Sequence, residues 1–206
     1  MKTIALAYLS CLGLLTAQAI SQPAKNEFSM EIEGVKCLVK AYRPTTPIVF
    51  EPMVDKDFRP KSQLVLAIML THSDISSYMS DEEIFALVRA KPDKELAQKH
   101  RSMMKTMFDA TGTSAADNPW KGKYVVDQAL VVESEKGKFL VYQLTTQGGK
   151  LTESLKNVAG KWLIGGEDGD AGRNFQKSIL ELVPAEFAKR HKASSVEPLP
   201  LEVLLN

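Results

Sequence analysis

Two carboxylates stand inside stretches of strand-forming residues, and each has the surroundings of a proton-transfer group. Asp127 lies in Tyr124-Val125-Val126-Asp127-Gln128-Ala129-Leu130-Val131-Val132, and Glu153 in Leu151-Thr152-Glu153-Ser154-Leu155. A carboxylate facing an apolar cavity loses hydration, its pKa rises, and it becomes a general base suited to cofactor-free isomerase, lyase or hydrolase chemistry. Two parities compete along the first stretch. Asp127 alternates with Val125, Ala129 and Val131, whereas Tyr124, Val126, Gln128, Leu130 and Val132 form an equally apolar set that carries only an amide. Period-two alternation assigns residues to opposite faces of a sheet without saying which face is concave. Tyr124, Gln128, Tyr142 and Trp162 are the expected ligand-pocket residues, each joining a contact surface to a hydrogen-bonding tip. Asp127 and Glu153 are the catalytic candidates of the alternative, enzymatic reading.

Other chemistries find less material. His72, His100 and His191 form neither H-x-x-x-H nor H-E-x-x-H, so a zinc site would require His72 and His100 to meet in space beside a carboxylate. The run Gly165-Gly166-Glu167-Asp168-Gly169-Asp170 begins like a calcium loop, yet a twelve-residue frame from Asp168 closes on Ile179 where a bidentate glutamate belongs. The same run puts acids where a phosphate would sit, and no G-K-[ST] follows. His72-Ser73-Asp74 are sequence neighbours whose side chains diverge on a helix, and there is no G-x-S-x-G elbow. No metal or cofactor is expected. Cys37, alternating with charged residues in Val35-Lys36-Cys37-Leu38-Val39, reads as a small buried apolar side chain.

The elements that must position these residues follow from periodicity. Met30 and Ile32 share one parity and Val35, Cys37, Val39 and Ala41 the other, so a β-bulge is expected at Gly34. A turn at Tyr42–Pro47 and a short strand Ile48–Glu51 complete an N-terminal hairpin. Leu64–Leu70 is apolar on every side. Its length, its Leu, Ala and Met content and the spacing of Leu64, Ile68, His72, Ile75 and Met79 favour helix. Ser80-Asp81-Glu82-Glu83 is a capping box opening a helix through Arg89. Pro92 suits the first turn of the next helix, whose apolar face is Leu96, His100, Met103, Met104, Met107 and Phe108. A loop around Asn118-Pro119-Trp120 leads to strands at 124–133, 139–146, 151–156 and 162–164, whose short turns demand antiparallel neighbours. Asn174 caps a final helix that Pro184 interrupts or kinks, and Val196–Asn206 is extended and docked. The expectation is an α+β fold in which helices cover one face of a curved antiparallel sheet.

The closing "LKNVAGKWLI", residues 155–164, resembles the last hairpin of the nuclear transport factor 2-like superfamily, with its Val-x-Gly-x-Trp-x-Ile arrangement. The upstream "SQLVLAIMLTHSDISSYMS" is similar to the first helix of that superfamily. The resemblance covers residues 60–166 and implies a cone-shaped sheet with a pocket at its mouth, on a scaffold shared by binding modules and enzymes.

The chain opens with Lys2, an apolar stretch from Ile4 to Leu15 and Ala17-Gln18-Ala19, a secretory signal pattern over residues 1–19. The stretch is shorter than the roughly 20 apolar residues a spanning helix needs. Tyr8-Leu9-Ser10 before Cys11 puts an aromatic where a lipobox wants leucine. Residues 20–206 are then expected as one periplasmic or secreted domain, not membrane-spanning. Removing Lys2 from 26 basic and 25 acidic residues leaves 25 of each. With no basic excess and no basic stripe, nucleic acid is not an expected partner. The leading expectation is an exported, non-enzymatic binding domain for a small apolar ligand or an envelope protein.

Overall fold

The computed structural model describes residues 26–89, 93–110, 122–165, 169–193 and 196–205. The signal pattern, Pro92, the Asn118-Pro119-Trp120 loop and the acids Glu167 and Asp168 lie outside the described residues. The fold is α+β. Among the described residues, eight strands form one sheet, antiparallel along its path β1-β2-β4-β5-β6-β7. Among the described residues, no helix is long and apolar enough to cross a membrane.

β1 (Glu27–Ile32) and β2 (Val35–Arg43) are a hairpin joined at Glu33-Gly34, with φ of 50° and 77°. Positive φ at both central residues is the signature of the turn that matches strand twist. The parity change at Gly34 is therefore a turn between two strands rather than the expected bulge within one. The expected hairpin partner of β2 is also different. β3 (Ile48–Phe50) pairs with β4 (Tyr124–Ser134), which β2 also joins, Leu38 opposite Glu133. Pro44 and Pro47 interrupt the pairing between β2 and β3. β4, β5 (Gly137–Thr146), β6 (Gly149–Val158) and β7 (Lys161–Leu163) form the expected meander.

A bulge does occur, in β4. Val126 pairs with Leu144 but Gln128 pairs with Gln143, so Asp127 is the extra residue and side-chain parity reverses around it. Tyr124 and Val126 before the bulge, and Ala129 and Val131 after it, reach the same core, while Leu130 and Val132 reach the core on the other face. Neither parity read from the sequence holds along the whole strand.

Among the described residues, four α-helices follow the pattern, with differences. α1 (Gln63–His72) takes up the apolar run, and the 3-10 turn Asp74–Tyr78 follows it. α2 (Asp81–Phe85) is shorter than expected, because residues 87–89 leave the helix to pair with Ile164. Its capping box is present: Ser80 Oγ accepts from the Glu83 N–H at 3.2 Å, and Glu83 Oε2 accepts from the Ser80 N–H at 2.7 Å. Ser80→Ala should cost about 1 kcal/mol in urea unfolding; a loss below a few tenths would mean that the cap is not holding α2. α3 (Lys94–Ala110) buries only part of the expected stripe. Ala97 and Met104 are buried, Leu96 and Met103 are exposed, and the side chain of Phe108 lies outside the described ones. The face that meets the 3-10 turn and α2 is partly polar: Arg101 donates to the carbonyls of Ser76 and Met79 and pairs with Asp81 at 2.7 Å.

α4 (Gly169–Lys192) begins before Asn174 and runs unbroken past Pro184. It lies on the opposite face of the sheet from α1, burying Phe175, Ile179, Val183 and Phe187 against Phe28, Val39, Val132 and Val141. Helices therefore cover both faces, not one. The tail docks as expected but is not extended throughout, because Leu201–Leu204 form a 3-10 turn. β8 (Leu199–Pro200) lies parallel to β2, Leu201 is buried, and Glu202 Oε1 accepts from Thr45 Oγ1 at 2.7 Å and from the Thr45 N–H at 2.9 Å.

Candidate functional site

The four pocket residues expected from the sequence are all buried, and they do not share a surface. Tyr124, Tyr142 and Trp162 sit in the core between sheet and α1. Gln128, past the bulge, faces the other way with Leu130. None of the four lines any of the cavities described below. The space expected to be a pocket behind the sheet is filled by their rings and by α1.

A polar knot sits in that core. His72 Nε2 lies 3.1 Å from Tyr142 Oη, and the His72 ring meets both Tyr124 and Tyr142 edge-on. Burial pulls the imidazole down to about 4 and pushes the Tyr124 phenol up to about 12. The Tyr142 phenol is raised further, by burial first and then by the negative charge of Glu153, with a Thr71 hydrogen bond acting the other way. All three rings are neutral near pH 7. Tyr124 Oη has no hydrogen-bond partner among the described residues. The knot orders the core without presenting a group to a substrate.

The catalytic candidates are separated too. Asp127 accepts a short hydrogen bond from Thr145 Oγ1 and lies 3.7 Å from Lys150 Nζ, with a third of its side chain in water. Both partners engage the same carboxylate oxygen, Oδ2. Glu153 is an exposed residue of β6 opposite Tyr142. Its carboxyl end is partly shielded, and this desolvation raises its pKa. Neither carboxylate lines the cavities. Among the described residues no group of three or more His, Cys, Asp or Glu could hold a metal ion. Cys37 is buried and its thiol is raised by burial.

Among the concavities of the described residues, two differ in character and bear on binding. A groove of about 370 Å³ runs beside β3, lined by Val49, Phe50, Met53, Val54 and Phe58 together with Glu51, Asp55 and Lys123. Met53 is 68% exposed, so this groove is an open surface. The second is a slot of about 190 Å³ among α2, α3 and the end of β7. Ile84, Phe85 and Val88 supply one wall, Leu96, Ala97 and His100 another, and Ile164 and Gly165 the floor.

The slot exists because α2 stops early. Residues 87–89 bridge to the strand end, with Ile164 N–H donating to Leu87 O at 2.8 Å and Arg89 N–H to Ile164 O at 3.0 Å. This spaces α2 and α3 over the sheet edge. His100 is held by the carbonyl of Leu70 at 3.2 Å. Leu70 is in the last turn of α1, where carbonyls lack helical partners. A carbonyl only accepts, so Nε2 carries the hydrogen and Nδ1 keeps its lone pair. Burial is the main force lowering the His100 pKa; the Leu70 bond opposes it and the Arg101 charge adds to it. Sequence periodicity marked His100 as a helix-face residue but missed the slot, since its walls come from three separated segments. The available signal was Ile84, Phe85 and Val88, an apolar group on a short helix with no assigned partner. No protein-family model, curated protein or solved structure matches the chain.

Proposed function

We propose that this chain is an exported, non-enzymatic binding domain, and that the slot among α2, α3 and β7 takes a small apolar ligand. The observation that carries this reading is the slot itself: an apolar cavity of about 190 Å³ with a single imidazole among its lining side chains. A concave apolar site with few convergent polar groups is the usual form of a small-molecule site. The alternative, a cofactor-free isomerase, lyase or hydrolase, needs a carboxylate at a cavity, and Asp127 and Glu153 stand away from both concavities. Export rests on the signal pattern at residues 1–19. The likeness of residues 155–164 to nuclear transport factor 2-like proteins is compatible with a binding scaffold, with the site moved from the sheet to its edge.

Ala97 is buried against the slot. Ala97→Phe should fill it and abolish binding of a benzene-sized probe, followed by amide NMR shifts at Ile84, Val88 and Ile164, while the far-ultraviolet circular dichroism spectrum is unchanged. Native mass spectrometry of protein purified from the periplasm should show retained mass that the variant lacks. Equal probe binding by the two proteins would remove the slot from the reading. The groove beside β3, with Val49, Met53 and Phe58 exposed, favours an envelope protein as the second reading; cross-linking in cells through Met53→Cys tests it.

A further inference from the structure

We infer that the ligand of this slot is a single-ring molecule, or an aliphatic one of that size, carrying one hydroxyl or amine hydrogen that it donates to Nδ1 of His100. The inference rests on the slot being a binding site and adds the chemistry of what enters it.

Size sets the first limit. An apolar cavity of about 150 Å³ accommodates benzene, so about 190 Å³ leaves room for one ring and one or two further heavy atoms. Polarity sets the second. Ile84, Phe85, Val88, Leu96, Ala97 and Ile164 offer no side-chain hydrogen bond. The Ile164 backbone is committed at both its N–H and its carbonyl. Gly165 offers only its backbone at the floor, and His100 is the polar side chain of the walls, its Nε2 hydrogen committed to Leu70. The free valence of the imidazole is the Nδ1 lone pair, which only accepts. A ligand donor therefore matches the imidazole and a ligand acceptor does not.

Charge sets the third limit. His100 is kept neutral by burial and by Arg101, and Arg101 is itself engaged with Asp81, Ser76 and Met79. A carboxylate entering the slot would meet apolar walls and a lone pair, and none of the lining side chains is a cation that could offset its lost hydration. Small phenols, anilines and alcohols fit; acids of the same size are disfavoured.

The experiment titrates the whole chain at pH 7.5 with 4-methylphenol, 4-methylanisole, p-xylene and 4-methylbenzoate, reading amide shifts of Ile84, Val88, Ala97 and Ile164. The expected order is 4-methylphenol about tenfold tighter than 4-methylanisole and p-xylene, the difference of one neutral hydrogen bond, with 4-methylbenzoate weakest. His100→Phe should erase the preference. His100→Gln, which keeps a donor for Leu70 and offers an amide oxygen, should retain part of it. If p-xylene and 4-methylphenol bind the wild-type slot equally, the donor rule is overturned while the binding site stands. If no probe moves the slot amides, the site and the rule fall together.

Discussion

Trp162→Ala should lower the unfolding free energy by about 3–5 kcal/mol, the cost of emptying a buried aromatic site. A domain of this size has about 5–15 kcal/mol in total, so the variant should be folded only marginally, with its urea midpoint reduced by a third or more. The indole is 6% exposed and belongs to the core between sheet and α1. Its backbone is also clasped: Gln63 Nε2 donates to the Trp162 carbonyl at 2.6 Å, and Gln63 Oε1 accepts from the Trp162 N–H at 3.2 Å. Gln63→Ala should therefore separate the two roles, removing both side-chain hydrogen bonds while leaving the indole in place, at about 1–3 kcal/mol. Circular dichroism during urea titration measures both. A loss below 1 kcal/mol for Trp162→Ala would show that the sheet edge does not depend on this ring.

Acid should destabilise the protein well before its carboxylates protonate. The native pKa of His72 is about 4, below its ordinary 6.5, because the ring is buried. The unfolded chain therefore binds a proton in this interval and the native one does not. The stability due to the neutral ring is complete above about pH 6.5 and falls as pH drops toward 4, by about 3 kcal/mol in full and about 2 kcal/mol by pH 5. His100, lowered in the same direction, adds to the fall. Glu153 acts oppositely: its raised pKa favours the native state below the ordinary 4.5, an advantage lost as pH climbs through its native value. Glu133 is lowered chiefly by its hydrogen bond from Lys138, and Glu202 by Thr45, so both weaken the fold only below about 4.5. The interval from 6.5 to 4.5 thus belongs mainly to the histidines. His72→Gln, which can still bond Tyr142 Oη, should flatten the stability profile there. An unchanged slope in that variant would reassign the acid sensitivity.

What the sequence revealed depended on whether the deciding contact was local. The capping box at Ser80, the helix over Leu64–Leu70 and the meander from Tyr124 onward are dictated by neighbours within a few residues, and all are present. The docked tail was legible because exposed leucines are costly. The bulge at Asp127 was not legible: nothing in an all-apolar strand marks which residue is the extra one, and the register is set by pairing with β5. That single residue placed Gln128 and Tyr124 on opposite faces and dissolved the expected pocket. The second neighbour of β2 was missed for the same kind of reason, since β4 lies beyond α1, α2 and α3 along the chain. Arg101 ties α3 to carbonyls left at the ends of other elements, which hydrophobic periodicity does not count. The slot depends on the early end of α2 and on residues from three separated segments, so it was removed from any pattern in the sequence.

The placement of the last strand constrains the order of assembly. β2 is synthesised early, yet the stretch after Ala41 finds its neighbours only when β4 and then Leu199–Pro200 have been made. Until Leu199–Pro200 has been made, the end of β2 lacks one of its two neighbours, and its backbone groups there are open to another strand. A chain kept from folding until that stretch is available would be protected from pairing at this place with a second copy.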